Sequence, residues 1–493
     1  MQKMKKVFNA GVAGHNAASN TERLKLAYIS PLPPEKSGIS DYSAELLPGL
    51  YHYYNIDVVV DQENVSDQWI LDHCGIVDVQ AFRENGNDYD RVLYHFGNSH
   101  FHKHMFDLLL EIPGIVVLHD FYLSGVINYM STMNYQNHSF EEELFYSHGN
   151  IPFNRDGYDL ITEYPSNKKV LDYAKGIIVH SENSVRLAKE WYGKLYGYDW
   201  SVIPLLRKPF TISDRNKSRR KLGIPENAVV IASFGHLNST KLNIELLEAW
   251  QDSSISKNEN CFLVFVGESS SEGYDTTIRS IIASSLFSDR IRITGWTDME
   301  TFGDYLSAAD IGVQLRTLSR GETSAAVLDC MNYGLATIVN ANGSMADISQ
   351  EAVWMLPDKF DKTELMDTLE TLYKDKERRK ILGEKALRII REKHTLKRCA
   401  EQYIQAIEAY YAKKPVRKEG LIELKFRVTE AERRAMESEA IAMETEARAT
   451  EAERRASDAL HHYHTATHSL SWKTTKPLRY IMKHIKSISG AKS

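Results

Sequence analysis

Cysteine is scarce. The 493 residues hold four, Cys74, Cys261, Cys330 and Cys399, each far from the next, and no C-x-x-C pair occurs. That argues against a disulfide scaffold or a zinc module, and reduced, buried thiols are expected instead. Long apolar runs are lacking too: no stretch approaches the ~18–20 residues needed to span a bilayer. The chain opens basic, from Met1 to Lys6, but Val7 to Asn20 carries too much Asn, Gly and His to serve as the apolar region of a signal peptide. Neither sign of charge dominates. Sixty Lys and Arg against 66 Asp and Glu leave a formal net charge of −6, which argues against a chain-wide basic surface for nucleic acid. Together these absences point to a cytoplasmic protein whose membrane contact must come from a surface segment.

What is present is a repeated alternation of short apolar runs and helical stretches. Residues 1–22 lack periodicity and read as a flexible leader. Leu24 to Ser30 reads as a buried strand, followed by a Pro/Gly loop, PLPPEKSGIS, and a helix over Asp41 to Leu50. Further strands are expected at 56–60, 91–95, 114–118 and 176–179. A second series follows Pro204, with strands at 228–235, 262–267, 291–294, 311–314 and 336–340. Helices are expected at 243–250, 328–333 and 362–373. These strands are continuously apolar rather than alternating, as in a parallel sheet covered on both faces. The fold class is therefore α/β, with two Rossmann-like parallel-sheet domains, 23–205 and 206–412, facing a cleft.

Beyond residue 412 the composition changes. Residues 429–456 hold four seven-residue units, TEAERRA, MESEAIA, METEARA and TEAERRA. The seam is small and weakly apolar, so a long helix over 413–468 is expected, either solvated alone or paired through 429–466. No acidic residue follows Asp458. Lys473, Lys476, Arg479, Lys483, Lys486 and Lys492 are interleaved with Trp472, Leu478, Ile481, Met482, Ile485 and Ile488. Residues 469–493 thus read as a basic amphipathic tail suited to anionic lipid, or to packing on a partner or on the domain itself.

Candidate site residues cluster after strands. Ser37, Gly38 and Ile39 follow the first strand, where a sharp turn and a helix N-terminus can present N–H groups to a phosphate. The loop is not a G-x-G-x-x-G, so a nicotinamide cofactor is not expected. His119 and Asp120 end the run VVLHD, and His95 and Asn98 lie in YHFGN; polar groups at such strand ends face the ligand crevice. Lys241, after FGHLNST, can meet a diphosphate as a point charge. The segment LRTLSRGETSAAVLDC supplies Arg316, Arg320, Gly321, Glu322, Thr323, Ser324 and Asp329. Two arginines, two acids and small residues suit phosphate and sugar hydroxyls, and Asp329 in an apolar helix demands a partner. Asp88 and Asp90 form a D-x-D pair within turn-rich NGNDYD, read as a surface loop rather than a metal site.

At residues 24–411 the chain resembles the retaining glycosyltransferases of family 4, which have the GT-B fold. The resemblance is carried by PLPPEKSGISDYS, YHFGN, VVLHD, FGHLNSTK, FVGE and RGETSAAVLDCMNYGLATIV. It implies that Ser37, Gly38 and Ile39 lie near a nucleotide-sugar diphosphate and that His119 contacts the donor sugar. It implies that Lys241 binds the diphosphate and that Asp329 meets the ribose. The family's arginine is replaced by His236, and its first glutamate by Gly321, with Glu322 one place on. Catalytic roles are expected for His119, Glu322 and Lys241, and donor binding for the others. Weaker, acceptor-side roles fall to His95, Asn98 and Asp120. Neither a cofactor nor a metal is expected, since the donor is a substrate.

The expected activity is transfer of a sugar, mannose first on the resemblance, to a lipid-linked glycan in bacterial surface-polysaccharide synthesis of the O-antigen type. The expected location is the inner face of the plasma membrane. A catalytically inactive GT-B scaffold, working through its helix, is the alternative. Another GT-B enzyme, an epimerase or an inverting transferase with His119 as base, is a third reading.

Overall fold

The computed structural model describes residues 23–149, 157–209 and 214–413, most of 438–467, and 473–489. The chain divides into two compact units after residue 416. Within the first, the apolar runs become strands of two sheets, every pairing of which is parallel. The first sheet contains β1 (Leu24–Ile29), β2 (Tyr54–Val60), β3 (Gly75–Asp78), β4 (Arg91–Phe96), β5 (Ile115–Leu118), β6 (Gly176–Val179) and β7 (Ser201–Val202), in the order β3-β2-β1-β4-β5-β6-β7. The second contains β8 (Val229–Phe234), β9 (Cys261–Val266), β10 (Ile291–Ile293), β11 (Ile311–Gln314), β12 (Ala336–Asn340) and β13 (Val353–Leu356), in the order β10-β9-β8-β11-β12-β13. Strand order reverses between β1 and β4 in one sheet and between β8 and β11 in the other. Such reversals open a crevice at the carboxyl ends of the strands.

The central strands are apolar because helices cover both of their faces. All six residues of β9 and all five of β12 are buried. Three strands are absent from the sequence reading: β3, β7 and β13. Each is a sheet edge, and β3 is mostly exposed. An edge strand is covered less completely, so its apolar signal is weak. Cys261, Cys330 and Cys399 are buried free thiols, while Cys74 is partly exposed.

The helix that closes the 206–412 stretch packs with the first sheet rather than the second. The helix Leu396–Ala412, capped by Thr395, returns to the first sheet. Its Cys399, Tyr403, Ile407 and Tyr410 join the core formed by Tyr28, Tyr42, Leu46 and Tyr54. The Tyr403 and Tyr42 hydroxyls lie 2.9 Å apart, and Glu408 accepts from Tyr54 at 2.8 Å and from Arg91 at 2.7 Å. Val327, Leu328 and Met331 of the second sheet's layer belong to the same apolar cluster, so the core runs continuously between the two sheets.

In the second unit, the described residues of 442–467 are helical and nearly all exposed, with Met443 and Leu460 open to solvent. Glu451 pairs with Arg454 and Arg455, each at 2.9 Å, one turn away. Residues 1–22, 429–437, Trp472 and Lys492 lie outside the described residues. The helix Lys476–Ser489 exposes Leu478, Tyr480, Ile481 and Met482. Among the described residues, no helix is long and apolar enough to cross a membrane.

Replacing Glu408 by Ala leaves a half-buried guanidinium and a buried tyrosine hydroxyl unpaired. The expected cost is about 3 kcal/mol in urea denaturation. A loss within experimental error would show that this return helix is not held by its ion pair.

Candidate functional site

Two adjoining cavities, of about 300 and 640 Å3, open at the carboxyl ends of the strands, and Asn98, Asp120 and Glu322 line both. The smaller is walled by Ser37, Gly38, Ile39 and Tyr42 from the loop and helix after β1, and by His119 after β5. Thr323 and Ala325 after β11 complete it, with His180 and Arg207. The larger is walled by Asn238 to Lys241 after β8, Ser270, Ser271 and Tyr274 after β9, and Arg316, Leu318 and Arg320 after β11.

Two helices begin at the smaller cavity. Gly38–Tyr51 is capped by Ser37, whose Oγ accepts from the Ile39 amide at 3.3 Å. A β-carbon on Gly38 would meet nothing within 4 Å, so the backbone there is open to a ligand. Ala325–Asn332 starts after Ser324, which is buried at the N-cap without a side-chain cap bond. Converging helix N-termini favour an anion.

The segment carrying Glu322 is fastened across the cleft. The amides of Phe121 and Tyr122 donate to the Arg320 carbonyl at 3.0 and 3.1 Å, and Ser184 Oγ donates to the Gly321 carbonyl at 2.9 Å. Gly321 has φ +86°, and a β-carbon there would collide with that of Phe121. Only glycine permits this approach. Glu322 Oε1 is paired with Arg316, and Oε2 accepts from the Arg320 amide at 2.7 Å. An ionised carboxylate has about four lone-pair directions, so Glu322 can still accept from ligand hydroxyls.

Lys241 differs from its neighbours. It makes no ion pair among the described residues, and its ammonium folds over Gly235, where a β-carbon would come within 2.9 Å of Nζ. Gly235 has φ +94°. Burial pushes the lysine down to about 8; Arg316 adds to the shift and Glu322 opposes it. A half-buried cation beside another cation is costly without an anion to join them. Arg320 Nε and Thr323 Oγ1 are likewise buried without a partner among the described residues.

Asp120 accepts from the Asn98 amide at 2.9 Å, while Asn98 Oδ1 accepts from the Val126 amide at 2.9 Å. Burial raises the Asp120 carboxyl to about 6; the Asn98 bond and the two arginines pull it down, and Glu322 pushes it up. His119 Nε2 lies 3.0 Å from His95 Nδ1, and burial holds both imidazoles well below 6.5. His95 itself is fully buried behind His119 and lines neither cavity.

Two more sequence candidates, His236 and Asp329, line neither cavity. His236 is exposed, 3.9 Å from Glu268. Asp329 pairs with Arg207 at 3.0 Å, which meets its need for a partner. Burial raises its carboxyl and Arg207 opposes the shift. Asp90 accepts from the Lys25 amide at 3.0 Å, away from the cleft. The sequence reading missed His180, Arg207, Tyr42, Ser270, Ser271 and Tyr274. The two serines and Tyr274 follow FVGE at a strand end and were findable by that rule; Arg207 lies in the linker and carries no such signal.

Two pH-linked outcomes follow. The lysine's folded value lies below its ordinary 10.5, so in the free protein it loses its proton as pH rises through about 8. Binding of a nucleoside diphosphate should weaken above that pH and take up protons near pH 8–9, measured by calorimetry in two buffers of different ionisation enthalpy. Affinity independent of pH from 7 to 9.5 would remove Lys241 from the anion site. The Asp120 carboxyl is raised in the fold, so its cost sets in as pH climbs from the unfolded value towards 6 and is complete above it. Asp120→Asn should therefore raise stability at pH 7.5, by on the order of 2 kcal/mol, with no gain at pH 4. An equal gain at both pH values would refute the assignment.

Residues 214–388 match the family described as Glycosyl transferases group 1. No curated protein matches the chain in sequence. Among solved structures, the Anabaena protein HepE in complex with UDP-glucose superposes with a TM-score of 0.58 at 13% identity, over 78% of this chain and 100% of that one. Sucrose-phosphate synthase from Thermosynechococcus elongatus gives 0.57 at 17% identity, over 79% and 100%. WaaG, a glycosyltransferase involved in lipopolysaccharide biosynthesis, gives 0.53 at 14%, over 78% and 99%. The two sheets therefore form a fold of the GT-B class, and its second half carries the segment that matches the Glycosyl transferases group 1 family.

Proposed function

We propose that this protein is a retaining, metal-independent glycosyltransferase of family 4 that moves a sugar from a nucleotide-sugar donor to a lipid-linked glycan. The observation that carries the reading is the Lys241 ammonium, without an ion pair among the described residues, beside Arg316 in the larger cavity that Arg320 also lines, next to a smaller cavity lined by two helix N-termini and His119. A half-buried set of donors and cations without an anion is what a leaving diphosphate requires. The Anabaena neighbour was solved with UDP-glucose and with UDP, which supports a nucleotide-sugar here.

In this reading Lys241 and the arginines take up charge developing on the diphosphate as the bond to the anomeric carbon breaks. The Ser37–Ile39 amides add to that field. Glu322 orients Arg316 and accepts from sugar hydroxyls. His119 contacts the sugar from the opposite wall. The leaving phosphate itself helps accept the proton of the incoming hydroxyl. The acceptor enters on the side of Asn98 and Asp120. Closure around the donor keeps water from the reacting carbon.

The acceptor class rests on the tail. The exposed Leu478, Ile481 and Met482 and the cationic Lys476, Arg479 and Lys483 suit an anionic bilayer surface. That would hold the enzyme at the inner face of the plasma membrane, where a lipid-linked acceptor of O-antigen type resides. Mannose stands first among donor sugars. The heptad segment is proposed to self-associate or to hold a partner helix.

Thermal-shift titration against UDP-, GDP-, dTDP- and CMP-sugars should single out one nucleotide class. A ligand at 100 times its dissociation constant adds about 2.7 kcal/mol of stability. With that donor and vesicle-bound acceptor, Lys241→Ala should lower turnover by about 100-fold or more while leaving the melting temperature close to wild type. Full turnover by the variant would remove the lysine's role. No transfer by the wild type with any donor would favour the scaffold alternative. Deleting residues 469–493 should release the protein from anionic vesicles in a flotation assay, and unchanged binding would sink the anchor.

A further inference from the structure

Behind the smaller cavity lies a group of buried histidines whose proton positions follow from their partners. His102 Nδ1 lies 2.9 Å from the His95 carbonyl, and His180 Nδ1 lies 2.9 Å from the Ile203 carbonyl. A carbonyl can only accept, so both rings carry their proton on Nδ1. Both leave a bare Nε2 sealed in the interior. His95 sits between them on β4. Its Nδ1 faces His119 Nε2 at 3.0 Å, and its own Nε2 is buried with no partner among the described residues. The hydroxyls nearby are engaged elsewhere: Tyr28 with Ser43 at 3.0 Å, and Tyr42 with Tyr403 at 2.9 Å.

Two arrangements satisfy the contact between the rings. If His119 Nε2 donated, the His95 proton would have to sit on the sealed Nε2, an orphan N–H of the kind that folded proteins rarely bury. If His95 Nδ1 donates, the sealed atom is a bare nitrogen, as in His102 and His180. The second arrangement places the proton of His119 on Nδ1. That atom has no partner among the described residues and is not among the sealed atoms, and His119 lines the cavity.

We propose that His95 is a positioning residue that locks His119 in its Nδ1–H form, so that His119 offers the cavity a hydrogen-bond donor and no lone pair. The inference deepens the donor-site reading and rests on it for its catalytic consequence. A ring in this form donates to a sugar hydroxyl or ring oxygen and cannot take a proton from an acceptor. Burial supports the point, since it disfavours the imidazolium that a general base would become. The tautomer therefore opposes inversion with His119 as base and agrees with retention.

The test has two readouts. Long-range proton–nitrogen correlation spectra of the full chain with labelled histidine, assigned by His119→Gln and His95→Asn, report which nitrogen carries each proton. The expected pattern is a bare Nε2 and a protonated Nδ1 for His119; the reverse overturns the proposal whatever the enzyme does. In kinetics with the donor identified by thermal shift, His95→Phe keeps an aromatic ring but removes the donor, and kcat should fall about tenfold or more. Affinity for the free nucleoside diphosphate should not change. His95→Asn keeps an N–H near the place of Nδ1 and should recover most of the loss. Wild-type kcat in His95→Phe, or equal loss in both variants, refutes the positioning role. Absence of transfer by the wild type would instead count against the enzymatic reading, and the spectra would still decide the tautomer.

Discussion

Three hydrogen bonds across the cleft hold the site in its present form. The Arg320 carbonyl accepts from the amides of Phe121 and Tyr122, and the Gly321 carbonyl accepts from Ser184. They tie the loop after β11, in the second sheet, to the loop after β5 and the helix after β6, in the first. Glu322 follows directly, so its place opposite His119 and Asp120 depends on them. The backbone can come this close only because residue 321 has no side chain and tolerates φ +86°. An alanine there would strain the loop and push the two strand ends apart. The close approach of these two loops thus rests on one glycine and three amide or hydroxyl donors, with the Asn183 amide and Arg186 bonded to Asp347 beside them.

Around that clamp the electrostatics are unbalanced by design of the packing. Glu322 is paired with Arg316 and holds the loop, which leaves Lys241 as a half-buried cation with no ion pair among the described residues. Asp120 supplies less negative charge than its type suggests, because burial favours its proton. The histidines behind it are neutral for the same reason. The cavity is therefore net attractive to an anion at the end near Lys241. At the end near His119 the neutral imidazole stands with Arg207, Glu322 and two helix N-termini.

The order of the elements was legible along the chain, and so was the position of the loops. Continuous apolar runs such as CFLVFV and ATIVN are buried on both faces, and the loops after β5, β8 and β11 carry His119, Lys241 and Glu322. The edge strands β3, β7 and β13 were not legible, because an edge has one neighbour and a weaker apolar signal. The return of Leu396–Ala412 to the first sheet was hidden as well. Its amphipathic pattern says that it packs, not on what. Tyr403, Glu408 and Tyr410 find their partners more than 200 residues away.

Within the site the same division holds. Local pattern by itself determined the α/β class, the two-sheet arrangement and the strand-end loops, since each depends on burial and turn chemistry within a few residues. Tertiary structure decided that Asp329 faces Arg207 rather than the cavity and that His236 stands in solvent. It decided too that His95 backs His119. These are contacts between elements distant in sequence, and a side chain's partner there is set by sheet order and register, which no local spacing encodes.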